Sequence, residues 1–420
     1  MNNFKYDVAV IGLGYVGLPL AIQAVDSNLK VYGYDIDEDK VSNYNLGNST
    51  IEDIADIDLQ KSLEKGLFLS SDPKHLSDSE TIVISVPTPL TDYQPDLSFV
   101  RAAAETIAKH ITKNQIVILE STTYPGTTVE VLIPVIEENS NLKAGVDFYA
   151  GYSPERIDPG NENWNFKNTP KVISGINDES LSKIKTFYER IIDTVVTVSG
   201  TKEAEMVKLL ENTYRHVNIA LINELAILCN MLNIDIWEVV NAAKTKPFGF
   251  ESFRPGPGVG GHCIPVDPNY LSFKTRQIGK PVRFVELAQE INNSMPSYVV
   301  SRLLEKMNLL EKPFKNSNIL ILGVAYKKDI GDVRESPAIG IIENLYVRGV
   351  KVKYFDPFVD SFIVNEHVVE KEYSLKNIEK YDLILVHTAH TDFESFDFSN
   401  TTVPIFDATG SDHYMNAERI

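Results

Sequence analysis

One thiol in this chain is placed where it can react. Cys263 lies near the end of Arg254-Pro255-Gly256-Pro257-Gly258-Val259-Gly260-Gly261-His262-Cys263-Ile264-Pro265-Val266-Asp267, a run with four glycines and three prolines. Such a loop suits a backbone wrapped closely around a ligand. A lone cysteine is ordinarily a small buried apolar residue. Cys229, inside Leu225-Ala226-Ile227-Leu228-Cys229, fits that bland reading, whereas polar, flexible loop surrounds Cys263. Asp267 follows four residues on, and a helix there would turn both side chains the same way. His262 has no partner ligands at metal spacing, so a structural or ligand-contacting role is expected of it, and no metal is expected.

A second signal opens the chain. The strand-like run Tyr6–Ile11 leads into Gly12-Leu13-Gly14-Tyr15-Val16-Gly17 and then a helix-like stretch. In a dinucleotide fingerprint Gly12 permits the tight turn, Gly14 lets backbone N–H groups approach a pyrophosphate, and Gly17 allows close helix–strand packing. Asp35 ends the next strand, 18 residues after Gly17, where a carboxylate accepts hydrogen bonds from an adenosine ribose and disfavours a 2′-phosphate. The expected cofactor is therefore NAD. The alternative is a glycine turn that binds nothing. Val86-Pro87-Thr88-Pro89 and Ser121-Thr122-Thr123-Tyr124-Pro125-Gly126 follow further strands, at the sheet edge where ligands bind, although either alone reads equally well as an ordinary turn. Lys208 and Asn212 stand four apart on one helix, a pair able to donate hydrogen bonds to a developing oxyanion. The competing reading is an exposed polar stripe.

A thiol beside a nicotinamide cofactor has a chemical logic. Oxidising an alcohol to an aldehyde needs hydride transfer and a base. Continuing to the acid needs a second hydride to leave the aldehyde carbon, and a thiolate adduct makes that carbon a hydride donor. The combination points to a four-electron oxidation.

The elements that must position these groups fall into three stretches. Strand-like runs at 6–11, 31–35, 81–86, 115–119, 147–151 and 171–174 alternate with helical periodicity at 99–110 and 128–138, which predicts a doubly wound, mainly parallel sheet. Residues 202–233 contain no Gly or Pro and predict one long helix, followed by 236–244, the glycine–proline loop, and helical character over 282–310. Strand signals resume at 318–322, 351–355, 383–388 and 403–407, with a helix at 338–348. The expected fold class is α/β, two Rossmann-like doubly wound domains joined by a central all-helical domain, with boundaries at 1–198, 199–312 and 313–420. The two α/β ends read as a loose structural duplication.

Composition narrows the partners. The chain has 420 residues, 43% of them hydrophobic and 23% charged, and two cysteines, which indicates a folded globular protein without a disulfide framework. A formal net charge of -18 argues against nucleic-acid binding, and an anionic substrate must be held by local cations and backbone N–H groups. No apolar run reaches the roughly 20 residues that span a bilayer, so no membrane association is expected. No signal-peptide pattern precedes the first strand-like run, which makes the cytoplasm the expected compartment.

In order, these segments resemble the UDP-sugar 6-dehydrogenase family over essentially the whole chain. The resemblance rests on Gly12–Gly17, Ser121–Gly126, Ser153-Pro154-Glu155-Arg156, Lys208–Asn212, Gly256–Asp267, Gly323-Val324-Ala325-Tyr326-Lys327-Lys328-Asp329 and Asp332-Val333-Arg334-Glu335-Ser336-Pro337. It implies Cys263 as nucleophile, Lys208 and Asn212 as oxyanion stabilisers, Asp267 as a partner orienting water or the base, and Glu155 as the base for thioester hydrolysis. Thr123 is similar to a family threonine near the nicotinamide and a catalytic water. The resemblance further implies NAD contacts from Tyr15, Val16, Thr88 and Arg334, and sugar-nucleotide contacts from Glu155, Arg156, Gly258, Gly260 and Lys327. It implies a central dimerisation domain, a homodimer built on the long helix, a UDP-binding C-terminal domain, and an active site between the outer domains. Ser153-Pro154-Glu155-Arg156-Ile157-Asp158-Pro159-Gly160-Asn161 departs from the Pro-Glu-Phe-Leu of UDP-glucose dehydrogenases. So does Lys246-Pro247-Phe248-Gly249-Phe250, and both, with Gly261-His262-Cys263-Ile264-Pro265-Val266-Asp267-Pro268, look like the branch that oxidises UDP-N-acetylglucosamine to its uronic acid, a precursor of O-antigen or capsule. Epimeric UDP-N-acetylhexosamines and UDP-glucose are the alternative substrates. A two-electron hydroxyacid-type dehydrogenase and a non-catalytic nucleotide-binding protein are the rival classes.

Overall fold

The structure, a computed structural model, describes residues 4–51, 54–91, 94–157, 161, 163–261, 264–411, 413–414 and 417–420. His262 and Cys263 lie outside the described residues, as do Asp158, Pro159 and Gly160 of the Ser153–Asn161 segment.

The strands are short, mostly apolar runs; those inside the sheet are buried on both faces, as parallel strands covered by helices must be, while those at its two edges are partly exposed. Among the described residues they are β1 (Tyr6–Ile11), β2 (Val31–Tyr34), β3 (Phe68–Ser70), β4 (Ser79–Ile84), β7 (Ile116–Leu119), β8 (Tyr149–Tyr152), β9 (Lys171–Gly175) and β10 (Val195–Thr197), with a small hairpin of β5 (Leu90–Thr91) and β6 (Gln94–Pro95). They form a sheet of order β10-β9-β8-β7-β4-β1-β2-β3. Every pairing is parallel except β8 with β9. Helices α1 (Gly17–Asp26), α2 (Glu38–Asn45), α3 (Asp56–Glu64), α4 (Ser98–His110), α5 (Ile133–Ser140) and α6 (Asp178–Tyr188) accompany it. Strands β3 and β10 and the β5–β6 hairpin lie where the sequence predicts no strand, and the stretch from Thr128 enters α5 through a π-helical turn, Thr128–Leu132.

The central helices are α7 (Thr201–Met231), α8 (Ile236–Ala243), α9 (Asp267–Gln277) and α10 (Arg283–Leu309). The second sheet, order β15-β12-β11-β16-β17-β18, is parallel throughout. Its strands are β11 (Asn318–Leu322), β12 (Lys351–Phe355), β15 (Glu370–Lys371), β16 (Leu383–Val386), β17 (Ile405–Asp407) and β18 (Glu418–Arg419), with α11 (Pro337–Val347) after β11 and a hairpin of β13 (Ile363–Val364) and β14 (His367–Val368).

The chain divides into two compact units, residues 1–211 with 269–280, and residues 212–268 with 281–420. The central helices are divided between them, α7 as far as Glu211 and all but the start of α9 falling in the first and the rest in the second. In the second unit Ile222 and Ala226 of α7, Trp237 and Val240 of α8, and Met295, Val299 and Leu303 of α10 enter one apolar core with Ile319 and Ile321 of β11. The first unit has its own core, in which Val8 and Val10 of β1 pack with Leu18 and Ala21 of α1.

A buried glutamate ties α7 to the first sheet. Glu205 accepts from Gly126 N at 2.5 Å, Thr128 N at 2.9 Å and Thr128 Oγ1 at 2.7 Å, fixing the turn that follows Thr123. Burial nonetheless pushes its carboxyl above the usual range. Glu205→Ala leaves three donors unmatched and is expected to cost about 2–3 kcal/mol, read from the midpoint of urea unfolding; a loss under about 0.5 kcal/mol, the size of an ordinary surface substitution, is incompatible with this anchoring role.

Candidate active site

The fingerprint turn has the geometry its residue types demand. Gly12 follows β1 with φ +89°, a left-handed conformation in which a side chain is strained, and its N–H donates to Tyr34 O at 2.9 Å. A Cβ at Gly17 would stand 1.8 Å from Gly12 O, whereas a Cβ at Gly14 would meet nothing within 4 Å. The backbone is therefore tight at Gly17 and open at Gly14. Val16 occupies the N-cap of α1 without a side-chain capping bond, so no side chain of its own satisfies the first N–H groups of this helix. Asp35, just past β2, accepts from Leu13 N at 2.9 Å and Asp37 N at 3.1 Å and pairs with Lys40 at 3.1 Å. Tyr15 is partly exposed beside this turn in sequence.

Two further edge segments belong to the same unit. Thr88 follows β4, and its carbonyl accepts from the Tyr270 hydroxyl of α9. Thr123 follows β7 and is fully buried, and its Oγ1 has no hydrogen-bond partner among the described residues. A buried hydroxyl without a partner is costly, which makes this atom a candidate ligand contact.

Glu155 follows β8 and is buried. Its Oε1 accepts from Arg156 N at 2.6 Å and Ile157 N at 2.7 Å, and its Oε2 from Lys171 at 2.8 Å. Burial disfavours its charge, but the Lys171 ammonium, the Ile157 N–H and the Lys208 charge together hold its carboxyl below the usual range. The Arg156 guanidinium pairs with Glu211 at 2.6 Å. Lys208 and Asn212, both buried, stand four apart in α7.

The second unit assembles a separate set. Asn212 Nδ2 donates to the buried Asp267 carboxylate, joining residues 55 apart in sequence. Asp267 is itself the first residue of α9, and 264–266 form a turn. The helix thus starts at Asp267, after the turn that includes Pro265. The loop's entrance is fixed by Asn223, whose Oδ1 accepts from Gly256 N at 2.9 Å while its Nδ2 donates to Asn292 at 3.0 Å. Buried His216, pushed down to about 4 by desolvation, lies behind Asn292 in neutral form. At Gly260 a Cβ would meet Tyr326 Cβ at 2.6 Å and Glu335 O at 2.9 Å, and at Gly258 it would meet Pro337 at 3.2 Å. Gly261 N donates to Arg334 O at 3.1 Å. Residues 258–261 therefore lie against the 326–337 segment, in which Lys327 is half-buried and Arg334 pairs with Asp332 at 2.5 Å.

Sequence reading passed over three buried groups beside Glu155: Glu120, Lys171 and Tyr188. The signal available was a charged residue abutting an apolar strand, in Leu119-Glu120 and in Lys171-Val172-Ile173. No group of described residues has the makings of a metal site, and no described helix is long and apolar enough to cross a membrane.

Comparison with known proteins gives this arrangement its class. The NAD binding domain of the UDP-glucose/GDP-mannose dehydrogenase family matches residues 6–192, its central domain residues 202–294, and its UDP binding domain residues 320–410. The chain belongs to the UDP-glucose/GDP-mannose dehydrogenase family. It is similar to UDP-N-acetyl-D-glucosamine 6-dehydrogenase of Pseudomonas aeruginosa, 36% identical over 95% of this chain and 94% of that protein. It is also similar to UDP-N-acetyl-D-mannosamine dehydrogenase of Pyrococcus horikoshii, 33% identical over 94% of this chain and 91% of that protein. The solved structure of the Pyrococcus horikoshii UDP-D-ManNAc dehydrogenase superposes with a TM-score of 0.88, covering 96% of this chain and 95% of that one. The chain is accordingly an NAD-dependent UDP-sugar dehydrogenase, an oxidoreductase.

The residues of the first unit fit NAD. The uncapped N-terminus of α1 and the open side of Gly14 suit a pyrophosphate, and Asp35 suits a ribose diol. Gly17→Ala places a methyl group against Gly12 O, and is expected to cost about 2 kcal/mol of stability and to weaken NAD binding more than tenfold. Calorimetric titration with NAD measures it, and wild-type affinity in that variant overturns the packing argument.

Proposed function

We propose that this protein oxidises the C6 alcohol of UDP-N-acetylglucosamine twice, to the uronic acid, through a thioester on Cys263. The observation that carries the reading is the Asn212–Asp267 hydrogen bond. It joins the lysine–asparagine helix to the residue that closes the cysteine loop, so that the segments bearing the proposed chemistry are tied together.

Gly12, Gly14, Tyr15, Val16, Gly17, Asp35, Thr88, Thr123 and Arg334 would hold NAD, which when bound would supply the hydride acceptor for both oxidations. Lys208 and the second N–H of the Asn212 amide donate to the oxygen on C6 and stabilise it as it gains negative charge. Asp267 orients that amide and the water that serves as proton acceptor. The Cys263 thiolate adds to the aldehyde carbon, and the resulting thiohemiacetal keeps a hydrogen able to leave as hydride. Glu155 takes a proton from the water that attacks the thioester, and Cys263 departs as thiolate. Arg156, Gly258, Gly260 and Lys327 contact the sugar nucleotide.

The sugar assignment rests on the Ser153–Asn161 and Lys246–Phe250 segments and is supported by the 36% identity to the Pseudomonas enzyme. A UDP-N-acetylmannosamine substrate is the second reading, favoured by the TM-score of 0.88 to the Pyrococcus structure; epimers differ by one substituent's orientation. The protein works in the cytoplasm as a homodimer, supplying surface-polysaccharide synthesis. Tyr214, Leu221, Leu225 and Leu228 are exposed at helical spacing along α7, an apolar stripe suited to a partner helix.

Two equivalents of NADH per sugar are expected, with a uronic acid as the product by mass. One equivalent and an aldehyde would place the protein among two-electron dehydrogenases, and binding without turnover would make it a nucleotide-binding protein. Cys263→Ala is expected to lose acid formation while remaining folded. A panel of UDP-glucose and the UDP-N-acetylhexosamines, each with NAD and NADP, is expected to give the highest kcat/KM with UDP-N-acetylglucosamine and NAD; a higher value for the manno epimer selects the second reading.

A further inference from the structure

Strand β9 begins with a charged residue in the interior. The Lys171 side chain is 4% exposed, and its ammonium lies 2.8 Å from Glu155 Oε2 and 3.1 Å from Glu120 Oε1. The rings of Phe166 and Tyr188 flank it at 5.2 and 5.6 Å, and the Tyr188 hydroxyl donates to Glu120 Oε1. One buried cation thus faces two buried carboxyl groups.

The two carboxyl groups are not equivalent. Glu155 has donors on both oxygens, two backbone N–H groups on Oε1 and the ammonium on Oε2. Glu120 receives Lys171 and Tyr188 on the same oxygen, while its Oε2 is buried with no hydrogen-bond partner among the described residues. A bare anionic oxygen in the interior is far more costly than a bare neutral one.

We propose that this cluster divides its charge unequally: Glu120 is held neutral and Lys171 keeps Glu155 ionised, which makes Lys171 and Glu120 positioning residues for a buried base. One negative charge then meets one positive charge, and it sits on the carboxylate that has donors on both oxygens. The groups facing Glu155 agree in sign. Burial pushes Glu120, after β7, up and toward its neutral form, and burial holds Tyr188 of α6 well above the usual phenol range, so it too is uncharged. Lys171 of β9 stays charged, since the ionised Glu155 at 2.8 Å and hydrogen bonds to both glutamates oppose its desolvation. Lys208 of α7 adds a second positive charge, and the neighbouring Arg156 is paired with Glu211.

The inference rests on the reading of Glu155 as the base for hydrolysis. In that step water oxygen bonds to the thioester carbon and one water proton goes to Glu155. The C–S bond breaks with its electron pair on the Cys263 sulfur, and the acid formed loses its remaining proton to solvent. Glu155 performs this only while ionised, so the rate falls on the acidic side of its titration.

Two measurements on the full-length protein test the division. In Lys171→Met, close to lysine in shape but uncharged, the acidic limb of kcat for uronate formation is expected to move up by about 2 pH units. Lys171→Arg, bulkier but charged, is expected to keep the limb near its wild-type position. A packing role predicts the opposite order, and an unmoved limb in Lys171→Met overturns the proposal. Infrared difference spectra at neutral pH, wild type minus Glu120→Gln, are expected to show a protonated-carboxyl band. Its absence overturns the proposal, and this isosteric variant decides the matter even if Lys171→Met does not fold. Glu155→Gln separates the two layers: acid formation at the wild-type rate in that variant removes Glu155 as the base, while the infrared result still decides which glutamate carries the proton.

Discussion

Taking a carboxylate out of water is tolerable only where cations and donors meet it, and that constraint governs the first unit of this protein. Glu155 reaches the interior at the end of β8 because Lys171 arrives from β9, which pairs antiparallel to it in an otherwise parallel sheet. Two backbone N–H groups of the following turn complete the shell. Glu205 follows the same rule with three donors from the 126–128 turn. Removing a partner from any such group leaves a desolvated charge or donor, and the penalty exceeds what the contact itself contributed. The buried polar groups therefore fix where the edge turns lie, and those turns carry Thr123, Glu155 and Arg156.

The two sheets share a device at their carboxyl edges. In the first, Gly12 N donates to Tyr34 O, and Asp35 accepts from Leu13 N. In the second, Gly323, at φ +74°, donates to Phe355 O, and Asp356 accepts from Val324 N and Ala325 N. Each time a left-handed glycine turns the chain away from the first strand, and an aspartate past the next strand fastens the turn. The duplication read loosely from the order of elements thus has an atomic counterpart. The copies diverge in their further partners: Asp35 pairs with Lys40, whereas Asp356 binds His390 at 3.1 Å.

The central helices act as carriers. Helix α7 presents Lys208 and Asn212 one turn apart, and Asn212 finds its partner in Asp267, the first residue of α9. Farther along α7, Asn223 holds the entrance of the glycine–proline loop through Gly256. The small residues of that loop have a steric reason: a side chain at Gly260 would collide with Tyr326 and Glu335, and one at Gly258 would press on Pro337 at the start of α11.

Much of this was legible in the sequence, where a function depends on local backbone geometry. The fingerprint glycines, the acid after β2, the long helix without Gly or Pro, and the change from alternating to helical pattern all express short-range constraints that a linear reading captures. Strands β3 and β10 were missed because each is only three residues long and holds its place by pairing with a neighbour. The partnership of Asn212 with Asp267, and of Glu155 with Lys171 and Glu120, depends on which strands and helices become neighbours. A charge at the end of an apolar strand looks like a solvated terminus until the fold covers it. The residue types thus pointed to the chemistry proposed for the chain, while the tertiary structure alone decided which charges are buried together, because desolvation acts between groups that only folding brings into contact.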